Sequence, residues 1–261
     1  MAKKMSDNTS ESSNGVQSVE RALTLLQIIA KATAPISISE ICDISGLNRT
    51  TAWRLLLTLE KCDYVERDPV TKNYELSMAF TNVGLHLTEQ YAPLIRIAHP
   101  SMARICDLTR ESVLLAVPRF FGTLTIFQLD PPQSVRLKNY TNTESSLVHS
   151  STGKIVLANL PENELEAIIK SYIHDDPEDV QFDIDAFKAD IRRVRAKGYS
   201  FVFEEFDKSE NAVSVPIYKG RNLSAILNVG GPSSRFTKDV MNNILPNLLE
   251  EAEIISSMLT Y

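Results

Sequence analysis

An α+β fold built in two parts is predicted by three observations. Between residues 16 and 61, apolar residues recur at helical spacing in three segments, separated by a break at Pro35 and a turn at Gly46. Residues 64–76 alternate like a pair of short strands around turn residues. Beyond residue 90, strand-like and helix-like runs follow one another in clusters, the pattern of a sheet with helices packed on it. Residues 1–15 are rich in Ser, Asn, Glu and Lys with almost nothing to bury, and read as a disordered tail.

In "SVERALTLLQIIA", Val19, Ala22, Leu23, Leu26 and Ile29 or Ala30 make one apolar stripe, with Ser18 a candidate N-cap. "ATAPIS" interrupts it. Ser37 or Ser39 can cap the short helix "SEICDIS", whose Ile38, Ile41 and Ile44 or Cys42 are expected inside, and Gly46 closes it. A third helix follows at once in "GLNRTTAWRLLLTLEK", with Ala52, Leu55, Leu56 and Leu59 inward and Asn48 or Thr50 as cap. Two helices joined by a short glycine turn form a helix-turn-helix, and the hairpin "YVERDPVTKNYEL" after it is the expected wing. Residues 16–76 are thus one domain. "MAFTNVGLHLTEQ" supplies a linker helix over 77–90, which Pro93 is expected to end.

The second domain is expected over residues 91–261. A helix, "PLIRIAHPSMARICDLT", precedes strands "SVLLAVP", "TLTIFQL" and "SVRLKNY". Helices then fall near 152–160, 162–171 and 183–197. Strands return at "YSFVFEE", "AVSVPIY" and "LSAILNVGG", before a last helix from Thr237 to about Met258 that Pro246 is expected to kink.

Composition excludes several classes. No apolar run nears the roughly 18 residues of a spanning helix, and "MAKKMSDNTSESSNG" lacks the apolar stretch of a secretory signal, so a cytoplasmic protein with no membrane partner is expected. Cys42, Cys62 and Cys106 lie far apart, an odd count without CxxC spacing. They read as small apolar packers in a reducing compartment, with no metal site and no cofactor. A G-x-S-x-G elbow and a P-loop are absent, and catalytic residues are not assigned.

Net charge is −6, yet DNA binding needs a basic face only where phosphates approach. No acid occurs from Leu47 through Leu59. The outward side of the third helix carries Asn48, Arg49, Thr50, Trp53 and Arg54, with Thr51 beside them, at the positive end of the helix dipole. Arginine pairs with guanine, asparagine with adenine, and threonine with phosphate or a thymine methyl, so these residues suit a major groove. Trp53 is left open between a sugar-phosphate contact and packing on a neighbouring helix. In the wing, Arg67 and Lys72 flank the turn and can grip phosphate, against four acidic neighbours, Glu60, Asp63, Glu66 and Asp68.

In the second domain, "TNTESSLVHSSTGK" places Ser145, Ser146, His149, Ser150, Ser151 and Thr152 just before a helix. Hydroxyls and free N–H groups there make either a carboxylate site or plain N-capping in a polar loop. Glu204 and Glu205 resemble an acid/base pair, but neighbours on a strand point to opposite faces, so one of them is read as a partner for a base such as Lys154.

"SVERALTLLQIIA", "ISISEICDISGLNRTTAWRLLLTLEK" and "YVERDPVTKNYELS", followed by "STGKIVLANLP", "IRRVRAKGYSFVFEEF" and "AVSVPIY", resemble the IclR family of bacterial transcriptional regulators. The resemblance covers almost the whole chain after residue 15. It implies a winged helix-turn-helix followed by a GAF-like α/β effector-binding domain, and a homodimer or dimer of dimers on a palindromic or repeated double-stranded operator. It implies a small organic acid effector, near the loop of Ser150, Ser151 and Thr152 and opposite "FVFEEF" and "NAVSVP". Val202 and Ala212 stand where some members carry polar or sulfur-bearing contacts, which points to a larger or less polar acid, aromatic acids included. Leu137, Leu147 and Phe203 are candidate lining, and His149 either contacts the ligand or is a loop histidine. Asp63, Ser77, Arg110 and Ser209 replace the family's usual glycines, Ser209 in a segment expected to border the cavity.

The leading expectation is a regulator whose effector shifts operator affinity through residues 76–90. Two alternatives stand beside it: an enzyme acting on a small molecule with the winged helix as an interaction module, and a winged helix that binds protein.

Overall fold

The computed structural model describes residues 15–175 and 183–260. The tail expected over residues 1–15 lies, but for Gly15, outside them. The chain divides into two compact units, Met1–Glu89 and Gln90–Tyr261.

In the first unit, α1 (Gln17–Lys31), α2 (Ile38–Ser45) and α3 (Arg49–Lys61) pack around Leu25, Leu26, Ile29, Ile41, Leu56 and Leu59. Strands β1 (Val65–Arg67) and β2 (Tyr74–Leu76) pair antiparallel, adding Val65 and Tyr74 to this core. Ser37 caps α2 in a reciprocal box with Glu40, and Gly46 ends it at φ 69°. Ser18 is not a cap: α1 starts at Gln17, and the N-cap position falls two residues before Ser18, at Val16. The apolar stripe on α1 also divides differently, since Val19 and Leu23 are 54% exposed while Leu25 is buried. Ile44 is likewise outside and Cys62 is exposed, so neither packs as its apolar character suggested.

Helix α4 (Met78–Thr109) runs through both Pro93 and Pro100. Pro93 was expected to end it. Both prolines are exposed, seven residues apart, while Ala98, Met102 and Ile105 are buried. A proline on the water side leaves its unpaired carbonyl to solvent, so the helix survives the lost bond.

The second unit is one antiparallel sheet. Its strands are β3 (Ser112–Arg119), β4 (Gly122–Leu129), β5 (Glu144–Ser146), β6 (Ser200–Phe203), β7 (Glu210–Lys219) and β8 (Asn222–Pro232), in the order β5-β4-β3-β8-β7-β6. Helices α5 (Ser151–Asn159), α6 (Glu162–Asp175) and α7 (Ile184–Lys197) follow β5, and α8 (Lys238–Leu259), capped by Thr237, closes the chain and continues through Pro246. Strand alternation sorts the two faces. Val113, Leu115, Val213, Val215, Leu227 and Val229 pack with Met102, Ile105 and the buried side of α8. Ala116 and Ile226 pack with α5, α6 and α7. "SVRLKNY" forms no strand. Leu137 and Tyr140 are instead turned into the protein, and Tyr140 N–H donates to the Gln128 side chain, 2.8 Å, rather than to a ladder.

No helix among the described residues is long and apolar enough to cross a membrane.

Candidate nucleic-acid interface and candidate ligand cavity

Helix α3 begins with Asn48, whose side chain accepts from Thr51 N–H, 2.9 Å, and no acid occupies the first turn. The positive end of the helix is therefore uncompensated. With Ala52, Leu56 and Leu59 buried, the 100° step per residue puts Thr50, Trp53, Arg54 and Leu57 on the opposite side. Thr50, Trp53 and Arg54 are exposed, Trp53 at 46%, so the indole is not enclosed by a neighbouring helix. Arg49 donates through Nη1 to Ser39 Oγ, 3.1 Å, which ties α3 to α2 and leaves the other guanidinium donors free. Thr51 is half-buried and turns with Arg54 toward a groove shared with Val19, Leu23 and Phe80.

The wing is held from within. Asp68 accepts from Val70 and Thr71 N–H, which keeps its carboxyl below the usual range. Arg67 lies 5.5 Å from the Tyr74 ring centre and Lys72 sits at φ 63°, its ammonium donating to Pro69 O. Both side chains are exposed at the tip. Asp63, just past α3, has φ 61°, the conformation in which a glycine carries no penalty.

A cavity of about 60 Å³ opens in the second unit on the α5 side of the sheet. Leu114, Ser145, Val202, Ala212, Asn228 and Gly230 come from strands, Leu137, Tyr140 and Phe206 from connections, and Ser150, Ser151 and Thr152 from the start of α5. The hydroxyls there are paired with one another. Ser150 Oγ caps Gly153 N–H at 2.9 Å, Thr152 bonds Thr123 at 2.7 Å, and Ser151 accepts from Ser214 and Asn228 at 2.8 and 2.9 Å. What remains open is backbone: the N–H groups of Ser151 and Thr152 have no acceptor among the described residues. Gly153 lets this turn close on its own loop, because a Cβ there would collide with Ser146 O and Leu147 Cα.

Two regions of the chain match known domain models: residues 18–69 the IclR helix-turn-helix domain, and residues 87–257 the bacterial transcriptional regulator IclR C-terminal domain. The chain belongs to the IclR family of bacterial transcriptional regulators. It is similar to the HTH-type transcriptional repressor AllR of Escherichia coli K12, 28% identical over 227 residues, 86% of this chain and 83% of the relative. The Thermotoga maritima IclR crystal structure superposes with a TM-score of 0.73 at 24% identity, over 94% of this chain and 99% of that one. An IclR homologue from Microbacterium hydrocarbonoxydans, complexed with 4-hydroxybenzoate, gives 0.69 at 18% identity, over 93% and 98%. This member of the IclR family is a DNA-binding transcriptional regulator and not an enzyme.

The IclR-family cavity gathers six of the residues singled out from sequence: Leu137, Ser150, Ser151, Thr152, Val202 and Ala212. It leaves out Leu147, His149 and Phe203. Leu147 is buried in the α5–α7 core, and His149 is turned away, Nε2 bonding the Tyr172 hydroxyl at 2.5 Å. Phe203, on the opposite strand face from Val202, is 41% exposed and stacks on Phe201. Ser209 is absent from the lining and its neighbour Glu210 is present. Glu205 bonds the buried Lys154, 2.7 Å, and Glu204 accepts from Ser233, 2.6 Å, so the apparent acid pair is two structural contacts. Ser145, from the hydroxyl stretch read in the sequence, lines it too, as do Phe206 and Asn211 from the segments expected opposite; Leu114, Thr125, Tyr140, Glu210, Asn228 and Gly230 also line the cavity, and sequence reasoning did not select them for it. No group of three or more metal-ligating side chains occurs among the described residues.

Proposed function

We propose that this regulator reads a palindromic or repeated operator with α3 and changes its DNA affinity when a small organic acid enters the cavity beside α5. The single observation that carries the ligand reading is the turn Ser150–Gly153, a helix start with two open N–H groups whose residues Ser150, Ser151 and Thr152 line an otherwise mostly apolar chamber. The Microbacterium homologue, bound to 4-hydroxybenzoate, shares the fold and supports an acid of similar kind. Thr50, Thr51, Trp53 and Arg54 meet base edges and sugar-phosphate, Asn48 and Arg49 brace the helix start at the groove, and Arg67 and Lys72 contact phosphate from the wing. A cytoplasmic homodimer, or a dimer of two dimers, supplies two such helices about one DNA turn or a multiple apart. Val19 and Leu23, exposed beside a groove of about 760 Å³ in the first unit, are the apolar surface it would bury. Sedimentation showing a monomer at micromolar concentration would remove that part.

The acid acts by linkage: if it binds one DNA-affinity state better than the other, operator binding shifts by the same factor. The test is a gel shift on the DNA upstream of the protein's own gene with a panel of small carboxylic acids, paired with thermal melts. An acid that raises the melting midpoint and moves the operator Kd is expected. A panel that does neither refutes the effector reading.

A further inference from the structure

One wall of the cavity is not explained by an acid alone. Glu210 begins β7 on the same strand face as Ala212 and Ser214, and it is the charged residue among those that line the chamber. Lys, Arg and His are missing from that lining among the described residues. Ser214 touches Ser151 at the α5 end, 2.8 Å. Glu210 lies four residues further along the strand, about 13 Å at the usual rise. The open N–H groups and the carboxylate therefore stand at opposite ends.

The carboxylate is held rather than loose. Tyr140 O–H donates to Glu210 Oε2, 2.7 Å, which leaves Oε1 to accept. At the α5 end, paired with Ser214 in the ladder, stands Asn228, 7% exposed, whose Nδ2 donates to both Ser151 and Ser214 at 2.9 Å. Its Oδ1 has no partner among the described residues. Because Asn228 lines the cavity and its amide nitrogen is engaged behind it, Oδ1 is the atom presented inward; a Cβ on the neighbouring lining residue Gly230 would lie 3.7 Å from it. The chamber thus has open N–H donors and the Asn228 oxygen at α5, hydroxyls at Thr125 and Ser145, an otherwise mostly apolar wall, and the Glu210 carboxylate at the far end. A buried acceptor left without a donor is unfavourable, and more so when it is charged.

We infer that Glu210, oriented by Tyr140, selects acids whose far end carries an N–H or O–H donor, and rejects plain and dicarboxylic acids. This rests on the cavity being the effector site. A simple acid would leave Glu210 Oε1 desolvated, and a second carboxylate would meet Glu210 with like charge. Burial raises the Glu210 carboxyl above its ordinary range, with Asp207 adding to the rise and the Tyr140 bond and Lys138 opposing it. An arriving donor supplies the counterpart that such a group lacks.

The experiment measures Kd by calorimetry on the full chain for butyrate, succinate, 4-aminobutyrate, 4-hydroxybutyrate, benzoate and 4-hydroxybenzoate. The wild type is expected to bind each donor-bearing acid about tenfold or more tightly than its plain match, with succinate weakest. Glu210→Leu should erase the preference, Glu210→Gln should keep it for hydroxyl ends and lose it for the ammonium end, and Tyr140→Phe should reduce it a few-fold. Should Glu210→Leu fail to fold, the Glu210→Gln ratio of ammonium to hydroxyl acid decides. Equal binding of plain and donor-bearing acids by the wild type, or a preference unchanged in the Glu210 variants, overturns the assignment while leaving the acid site standing. If none of the acids binds, the effector reading falls and this inference falls with it.

Discussion

Gly230 and Asp63 show how single positions carry the two halves of the account. A side chain at Gly230 would start 2.6 Å from Leu137 Cδ1, inside the cavity. Gly230→Val is therefore expected to fold, because Leu137 can yield, but to fill the chamber; its melting midpoint should no longer rise with acids that stabilise the wild type. Asp63 sits at φ 61°, where a side chain is strained. Asp63→Gly should stabilise the first unit by about 0.5–1 kcal/mol, read as a higher denaturation midpoint, since relief of the left-handed strain exceeds glycine's extra unfolded-state freedom. That position was legible from sequence, because a departure from a usual glycine has one conformational meaning. Glu210 and Asn228 were not: their role depends on which strand face they share with Ala212 and Gly230, and on Tyr140 arriving from a connection 70 positions away in the chain.

At the level of elements, local chemistry was the reliable guide. The cap at Ser37, the turn at Gly46 and the period of Ala52, Leu56 and Leu59 are short-range signals, and the helices they specify form where expected. Long-range pairing was the blind spot. "SVRLKNY" has a strand's composition but finds no neighbour, whereas "ESS" becomes β5 because β4 offers it an edge at Gly122, Thr123 and Leu124. Helix α4 outlasts its prolines because packing of Ala98, Met102 and Ile105 outweighs two lost bonds on the wet side. The clamp of α4 on α8 is electrostatic as well: Arg104 Nε and Nη2 reach both oxygens of Glu251, each 2.6 Å. The Arg104 bond chiefly, with a smaller one from Ser101, holds the Glu251 carboxyl below its usual range despite partial burial. A depressed folded pKa means stability that is present above the ordinary carboxylate value and lost as pH falls through the lowered one. Glu251→Gln should accordingly melt lower than wild type at neutral pH, and the two curves should converge as the pH falls through the lowered carboxyl value.

Across the whole molecule, the net charge of −6 and the DNA-binding role are reconciled by placement. The acids of the first unit lie on α1, on α2, at the end of α3 and on the wing, while the stretch from Leu47 to Leu59 has none, so attraction to phosphate is local and steep in salt. The winged helix-turn-helix was readable because its elements are consecutive in the chain. The residue pattern by itself pointed only to the α5 start, and Val202 and Ala212 came from the family resemblance, since the cavity walls are drawn from residues 114–230 through a sheet whose strand order is not the chain order. The central claim is that the outward face of α3 binds the operator. Its most direct test is quantitative gel shift or footprinting on the upstream DNA with Arg49→Ala plus Arg54→Ala, after checking that the double variant melts like wild type. Losing one base contact costs about 1–3 kcal/mol, so operator affinity should fall at least tenfold and the salt dependence should flatten. A folded double variant that binds the operator with undiminished affinity and an unchanged salt slope would contradict the account.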